Sequence, residues 1–217
     1  MSAPDYWRSQ PVIPVVVIND SANAVQLART LVDAGLLKIE ITLRTEAALK
    51  SIELIANEVP EAIVGAGTVV NEKTAQSALN AGAKYLVSPG ATPTVLASLD
   101  ATKLPYLPGA ATVSEALLLV EHGISTAKFF PAVESGGIAW LKAVSSVIPQ
   151  LSFCPTGGIS PSNYQDFLAL PNVACVGGSW VAPSKLIAEQ NWTEISKLSN
   201  AVFNNEDRKS TRLNSSH

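Results

Sequence analysis

The sequence predicts an α/β fold, a parallel sheet closed into a (β/α)8 TIM barrel, on three observations. Eight short β-rich runs alternate with longer helical patterns from near the start almost to the end. The runs are too apolar to have a solvent face, as in parallel strands covered on both sides. No linker-like stretch interrupts the alternation, so the 217 residues read as a single domain with one well-filled core. An open doubly wound sheet fits the same alternation and is the alternative.

The expected strands are IPVVVI (13–18), LLKIEITL (36–43), AIVGAGT (62–68), KYLVSP (84–89), PYLPGA (105–110), TAKFFP (126–131), LSFCPTGG (151–158) and NVACVGGSW (172–180). Between them the apolar spacing changes to that of helices. In SANAVQLARTLVDAG, Val25, Leu27, Ala28, Leu31 and Val32 form one stripe, and Gly35 stands where a helix C-cap belongs. Helix starts carry their own marks. Thr92 before Pro93, and Ser160 before Pro161, each offer an N-cap oxygen followed by proline at the first helical position. Thr112 with Glu115 reads as a capping box. Residues 2–10 precede the first strand and are expected to form a short extra helix closing the barrel bottom. The stretch from 204 to 217 is polar and aperiodic, with Leu213 its one core-type residue, so the catalytic domain is expected over 1–203 and a disordered or non-native tail beyond.

Composition narrows the function. Hydrophobic residues make up 47% and charged residues 15%, the formal net charge is -3, and basic residues are scattered. This pattern offers no electrostatic footprint for nucleic acid or an acidic membrane. Apolar runs fall far short of the roughly 18 residues that span a bilayer, and no charged-then-apolar leader opens the chain, which together suggest a cytoplasmic protein. Small molecules are the expected partners. Cys154 and Cys175 lie in apolar strand-like segments and read as reduced packing residues. With only His122 and His217 in the chain, a zinc-dependent mechanism with several histidine ligands cannot be assembled, and His122 reads as a helix C-terminal cation or a solvated side chain.

In a barrel of this kind, chemistry gathers at the C-terminal ends of the strands. The period of two along the second strand puts Ile39, Ile41 and Leu43 on one face and Glu40, Thr42 and Arg44 on the other, pointing inward. Glu40 and Arg44 could act on a substrate or satisfy one another as a buried ion pair. Lys38 and Lys84 sit at strand starts, on the barrel floor. Lys128 alone is central, in the sixth strand, sharing a face with Phe130. Apolar neighbours disfavour the charged form, leaving a neutral amine able to attack a ketone and form a Schiff base; the alternative is a lysine paired with a buried carboxylate for stability. CPTGGIS and VGGSW end the seventh and eighth units. Their glycines let backbone N–H groups approach an anion, Thr156 and Ser179 add hydroxyls, and this is where the fold places a phosphate. GAGT (65–68) is a further close-approach turn, with Thr68 a possible anion donor.

IEITLRT, GAGTV, SPG, KFFPA, CPTGGIS and GGSW, in this order and at these intervals, closely resemble the 2-keto-3-deoxy-6-phosphogluconate (KDPG) and 2-keto-4-hydroxyglutarate (KHG) aldolase family, from residue 11 to about 202. The resemblance implies Lys128 as the Schiff-base lysine and Glu40 as general acid/base. It implies Arg44 and Thr68 at the pyruvate-end carboxylate, with Pro89 and Phe130 lining the same pocket. It also implies Thr156, Gly157, Gly158, Gly178 and Ser179 at the substrate-hydroxyl and phosphate end. No metal or other cofactor is implied beyond the covalent lysine, and family members are typically homotrimers of the Entner–Doudoroff route. The expected function is therefore a class I aldolase acting on keto acids and sugar phosphates. The alternatives are a non-covalent sugar-phosphate isomerase or decarboxylase on the same barrel, and a non-catalytic sugar-phosphate binding module.

Overall fold

The computed structural model describes residues 4–214. The chain opens with α1 (Pro4–Arg8), inside the stretch expected to form an extra helix. Strands and helices then alternate: β1 (Val12–Val16), α2 (Ala24–Asp33), β2 (Lys38–Thr42), α3 (Ala48–Glu58), β3 (Ile63–Gly67), α4 (Glu72–Asn80), β4 (Leu86–Val87) and α5 (Pro93–Thr102). The second half runs β5 (Tyr106–Leu107), β6 (Gly109–Ala110), α6 (Val113–Glu121), β7 (Thr126–Phe129), α7 (Gly137–Val147), β8 (Ser152–Pro155), α8 (Tyr164–Leu168), β9 (Val176–Gly178), α9 (Ser184–Ala188) and α10 (Trp192–Asn214). Residues 204–214, within the expected tail, continue α10; residues 215–217 and His217 lie outside the described residues. No helix among the described residues is long and apolar enough to cross a membrane.

All strand pairs are parallel. Six strands follow the order β5-β4-β3-β2-β1-β9, so the first strand lies between the second and the last, and β6-β7-β8 form a second sheet. Two isolated bridges, Phe153 to Val173 and Thr156 to Gly177, tie the second sheet to the segment around β9. The fifth expected strand is split, because Pro108 has no N–H for a ladder and ends β5 before β6 begins. Its carbonyl still accepts from Lys128 N at 2.9 Å.

Local signals act as chemistry dictates. Gly35, at φ 88, turns the chain out of α2 while its N–H reaches Val32 O at 2.8 Å and Leu36 N reaches Leu31 O at 2.9 Å. Thr92 caps α5 with Pro93 at its first position, and Thr112 with Glu115 forms the capping box of α6. The start expected at Ser160–Pro161 is displaced. The Asn163 carboxamide accepts from Ser160 N and donates to Gly158 O, both at 2.9 Å, folding 160–163 into a turn so that α8 begins at Tyr164.

Outward strand residues pack under the helices. Ile39, Ile41 and Leu43 join Leu27, Leu31 and Ile52 in one cluster. Ala127, Phe129 and Phe153 join Leu141 and Phe167 in another. A third cluster, Trp7, Ile13, Tyr85, Val87, Leu107, Cys154 and Cys175, draws on the opposite strand faces. Both cysteines are buried and unbridged. Helix α1 supplies the fully buried Trp7 to this cluster. Next to it Gln10 joins β1 to β2, donating to Val12 O and Lys38 O and accepting from Lys38 N. Lys38 is buried here, bonded to Ser9 Oγ, whereas Lys84 is exposed.

Candidate active site

Lys128 and Glu40 meet at the centre of the inner faces. Strand β7 presents Lys128 between its ladder partners Gly109 and Cys154. Strand β2 presents Glu40 beside Val15 and Gly65. Nζ of Lys128 lies 3.3 Å from Oε1 of Glu40, with the side chains only 8% and 5% exposed. Burying two opposite charges is tolerable only as a pair, and here each is the other's partner. The same contact sets an amine nucleophile against a group that can take and return protons. The amine also lies 5.4 Å from the centroid of the Phe130 ring, which is partly open to solvent.

The ion pair between Glu40 and Arg44, weighed as an alternative from the sequence, is not what forms. Arg44 lies beyond the end of β2, exposed, and its Nε donates to Thr42 Oγ1 at 3.2 Å. Thr42 in turn donates to Val16 O at 2.9 Å, so Arg44 is braced at the strand end with most of its guanidinium free for an anion. Thr42 and Gly67 are ladder partners, so Thr68 follows at the neighbouring strand end. Its φ of 64 is rare for a β-branched residue and marks a sharp exit from β3. Pro89 stands just past β4; its carbonyl packs so closely on Gly109 that a Cβ there would fall 2.1 Å from the oxygen. Arg44, Thr68 and Pro89 thus stand at the ends of three consecutive strands.

The second group lies at the ends of β8 and β9. Thr156 is buried and bridges to Gly177, while Ser179 is exposed. Gly157 and Gly158 take φ of 99 and 71, conformations open to glycine at little cost. Their loop is held to the segment after β7 by Ala132 N to Thr156 O at 2.8 Å and Val133 N to Gly157 O at 3.2 Å. Gly178 leaves room for the Trp180 ring, 2.1 Å from where a Cβ would stand.

Sequence reasoning missed three contributors. Gly67 makes the space for Glu40, since a Cβ there would sit 2.1 Å from Oε1; its signal is the alternation of glycines in VGAG. Asn163 holds the Gly158 carbonyl, and no local pattern separates it from an ordinary helix cap. Gly177 makes the matching space for Thr156 Oγ1.

His122 is the C-cap of α6 and exposed, at the helix C-terminus where the sequence placed it. Its Nε2 contacts Asp100 Oδ2 at 2.7 Å, and Tyr106 donates to Oδ1 of the same carboxylate at 2.5 Å. Among the described residues no group of three or more His, Cys, Asp or Glu is placed to hold a metal ion.

The model of the KDPG and KHG aldolase family matches residues 5–198. The 2-dehydro-3-deoxy-phosphogluconate aldolase of Pseudoalteromonas atlantica is 45% identical over 198 residues, 91% of this chain and 92% of that one. The KHG/KDPG aldolase of Escherichia coli is 45% identical over 197 residues, with the same two coverages. Among solved structures, the KDPG aldolase of Legionella pneumophila, with pyruvate captured as a covalent carbinolamine, superposes with a TM-score of 0.89 at 44% identity, covering 93% of this chain and 98% of that one. The chain belongs to the KDPG and KHG aldolase family.

Proposed function

We propose that this protein is a class I aldolase that cleaves 2-keto-3-deoxy-6-phosphogluconate reversibly to pyruvate and D-glyceraldehyde 3-phosphate, and 2-keto-4-hydroxyglutarate to pyruvate and glyoxylate. The observation that carries this reading is the 3.3 Å contact between Lys128 Nζ and Glu40 Oε1. A sugar-phosphate isomerase or decarboxylase working without a covalent intermediate would need only the charge of Lys128, and a non-catalytic binding module has no need of a shielded amine.

Lys128 attacks the C2 ketone, and Glu40 carries protons as the carbinolamine loses water to an iminium. Glu40 takes the proton of the C4 hydroxyl, the C3–C4 bond breaks, and its electron pair moves into an enamine while the aldehyde leaves. Glu40 protonates the enamine carbon, and hydrolysis releases pyruvate and restores the amine. Arg44 and Thr68 hold the carboxylate, and Pro89 and Phe130 shape that end. Thr156, Gly157, Gly158, Gly178 and Ser179 receive the substrate hydroxyl and phosphate. Carbon–carbon cleavage on this route calls for no metal.

The two sheets close into an eight-stranded barrel, supported by the continuity of β5 and β6 across Pro108 and by the bridges from β8 to the β9 segment. The catalytic domain spans 1–203, supported by the packing of Val202 and Phe203 into the core. The enzyme works in the cytoplasm, and the family resemblance implies a homotrimer.

The test is product formation. Purified protein given KDPG should release pyruvate and glyceraldehyde 3-phosphate in equal amounts with chelator present, and Lys128→Arg should abolish it. Appreciable activity in Lys128→Arg would transfer the assignment to a non-covalent enzyme.

A further inference from the structure

Close to the Lys128–Glu40 pair lies a buried polar group that this mechanism leaves unused. Tyr85, just before β4, is fully shielded from solvent, its ring edge-on to Trp7 at 5.5 Å between centroids. Its hydroxyl finds no hydrogen-bond partner among the described residues. A buried polar group in that state calls for a reason, because a phenylalanine would fill the same space without the desolvation cost.

Strand β3 is shaped around this ring. A Cβ on Gly65 would fall 2.3 to 2.5 Å from Cε2, Cζ and Cδ2 of Tyr85, just as one on Gly67 would fall 2.1 Å from Oε1 of Glu40. Residues two apart on a strand share a face and lie about 7 Å apart. The phenol end of the ring and the Glu40 carboxylate therefore occupy neighbouring notches on one face of β3.

We propose that Tyr85 is a positioning residue for the aldol reaction, its hydroxyl donating a hydrogen bond through one water to the Glu40 carboxylate and holding it as the proton acceptor beside Lys128. The inference rests on the Schiff-base reading above. Burial first, then the nearby Glu40 charge, pushes the Tyr85 phenol well above its ordinary range, with Tyr6 of α1, Cys154 of β8 and Cys175 before β9 adding to the shift. Tyr85 therefore keeps its proton and acts as a donor. Of those groups only Glu40 is a carboxylate, and its other charged neighbour is Lys128 of β7.

A donor aimed at a carboxylate favours the charged form, so losing it makes the carboxylate easier to protonate. Tyr85→Phe keeps the ring, the Gly65 notch and the edge contact with Trp7. The experiment compares this variant with the parent protein in three respects: borohydride trapping of pyruvate, the pH profile of kcat/KM on KDPG, and Tm. The expected result is trapping retained and an acid limb moved upward by about one pH unit, with a cooperative melting transition showing that the variant is folded. An unmoved acid limb with trapping intact would overturn the role of Tyr85 and leave the aldolase reading standing. Failure of the parent itself to trap pyruvate would remove the reading on which the role depends.

Discussion

Gly67 and Glu40 share one space: a Cβ on Gly67 would stand 2.1 Å from Oε1, 2.7 Å from Cδ and 2.8 Å from Cγ of Glu40. Strand β3 gives up a side chain there so that the carboxylate can reach Lys128. Gly67→Ala must push the carboxylate aside. We expect kcat to fall on the order of 10²-fold, the scale of misplacing a catalytic group by about 1 Å, with secondary structure unchanged by circular dichroism. Activity within a factor of two of the parent would show that Glu40 needs no such accuracy.

Glu40→Gln keeps the size of the side chain and removes its capacity to shuttle protons. We expect kcat on KDPG to fall by about 10²- to 10⁴-fold, while Lys128 remains trappable by pyruvate and borohydride on longer incubation. Steady-state kinetics and adduct mass give the two readouts.

Ser179 is exposed just past the end of β9. Ser179→Asp puts a negative charge where the phosphate is expected. KM for KDPG should rise at least tenfold more than KM for 2-keto-4-hydroxyglutarate, which carries no phosphate. Equal changes would remove the phosphate assignment.

The capping box on α6 gives a pH-dependent test of stability. Glu115 accepts from Ala111 N at 2.8 Å and from Thr112 N at 2.9 Å. The Ala111 N–H, acting against partial burial and aided by Thr112, holds its carboxyl below the usual carboxylate range. Because the folded value is the lower one, the unfolded chain binds the proton more readily. The stabilisation is therefore present above the unfolded value, near pH 4.3, and fades as pH falls through the folded one. Thr112→Ala should lower stability by about 1 kcal/mol at neutral pH without affecting kcat. Glu115→Gln should lose its difference from the parent as denaturation is repeated at progressively more acidic pH.

What the sequence made legible is what neighbours in the chain decide. Alternation in IEITL gives both faces of β2, Gly35 ends α2, and Thr112 with Glu115 starts α6, because each needs only a few adjacent residues. The pairing of Glu40 is different. Its nearby candidate, Arg44, stands four residues on, about 13 Å along an extended strand, and the contact instead spans 88 residues to Lys128. Asn163 displaced an expected helix start for a similar reason, since its bond to Gly158 serves the loop after β8 rather than a helix. The space-making glycines, Gly67 beneath Glu40 and Gly177 beneath Thr156, acquire their meaning only when neighbouring strands are in register.

The most direct test of the Schiff-base account is to incubate the protein with pyruvate, reduce with borohydride and map the labelled peptide by mass. The account predicts one stable adduct, on Lys128. A folded sample that gave no adduct, or an adduct on another lysine with Lys128 unmodified, would contradict it.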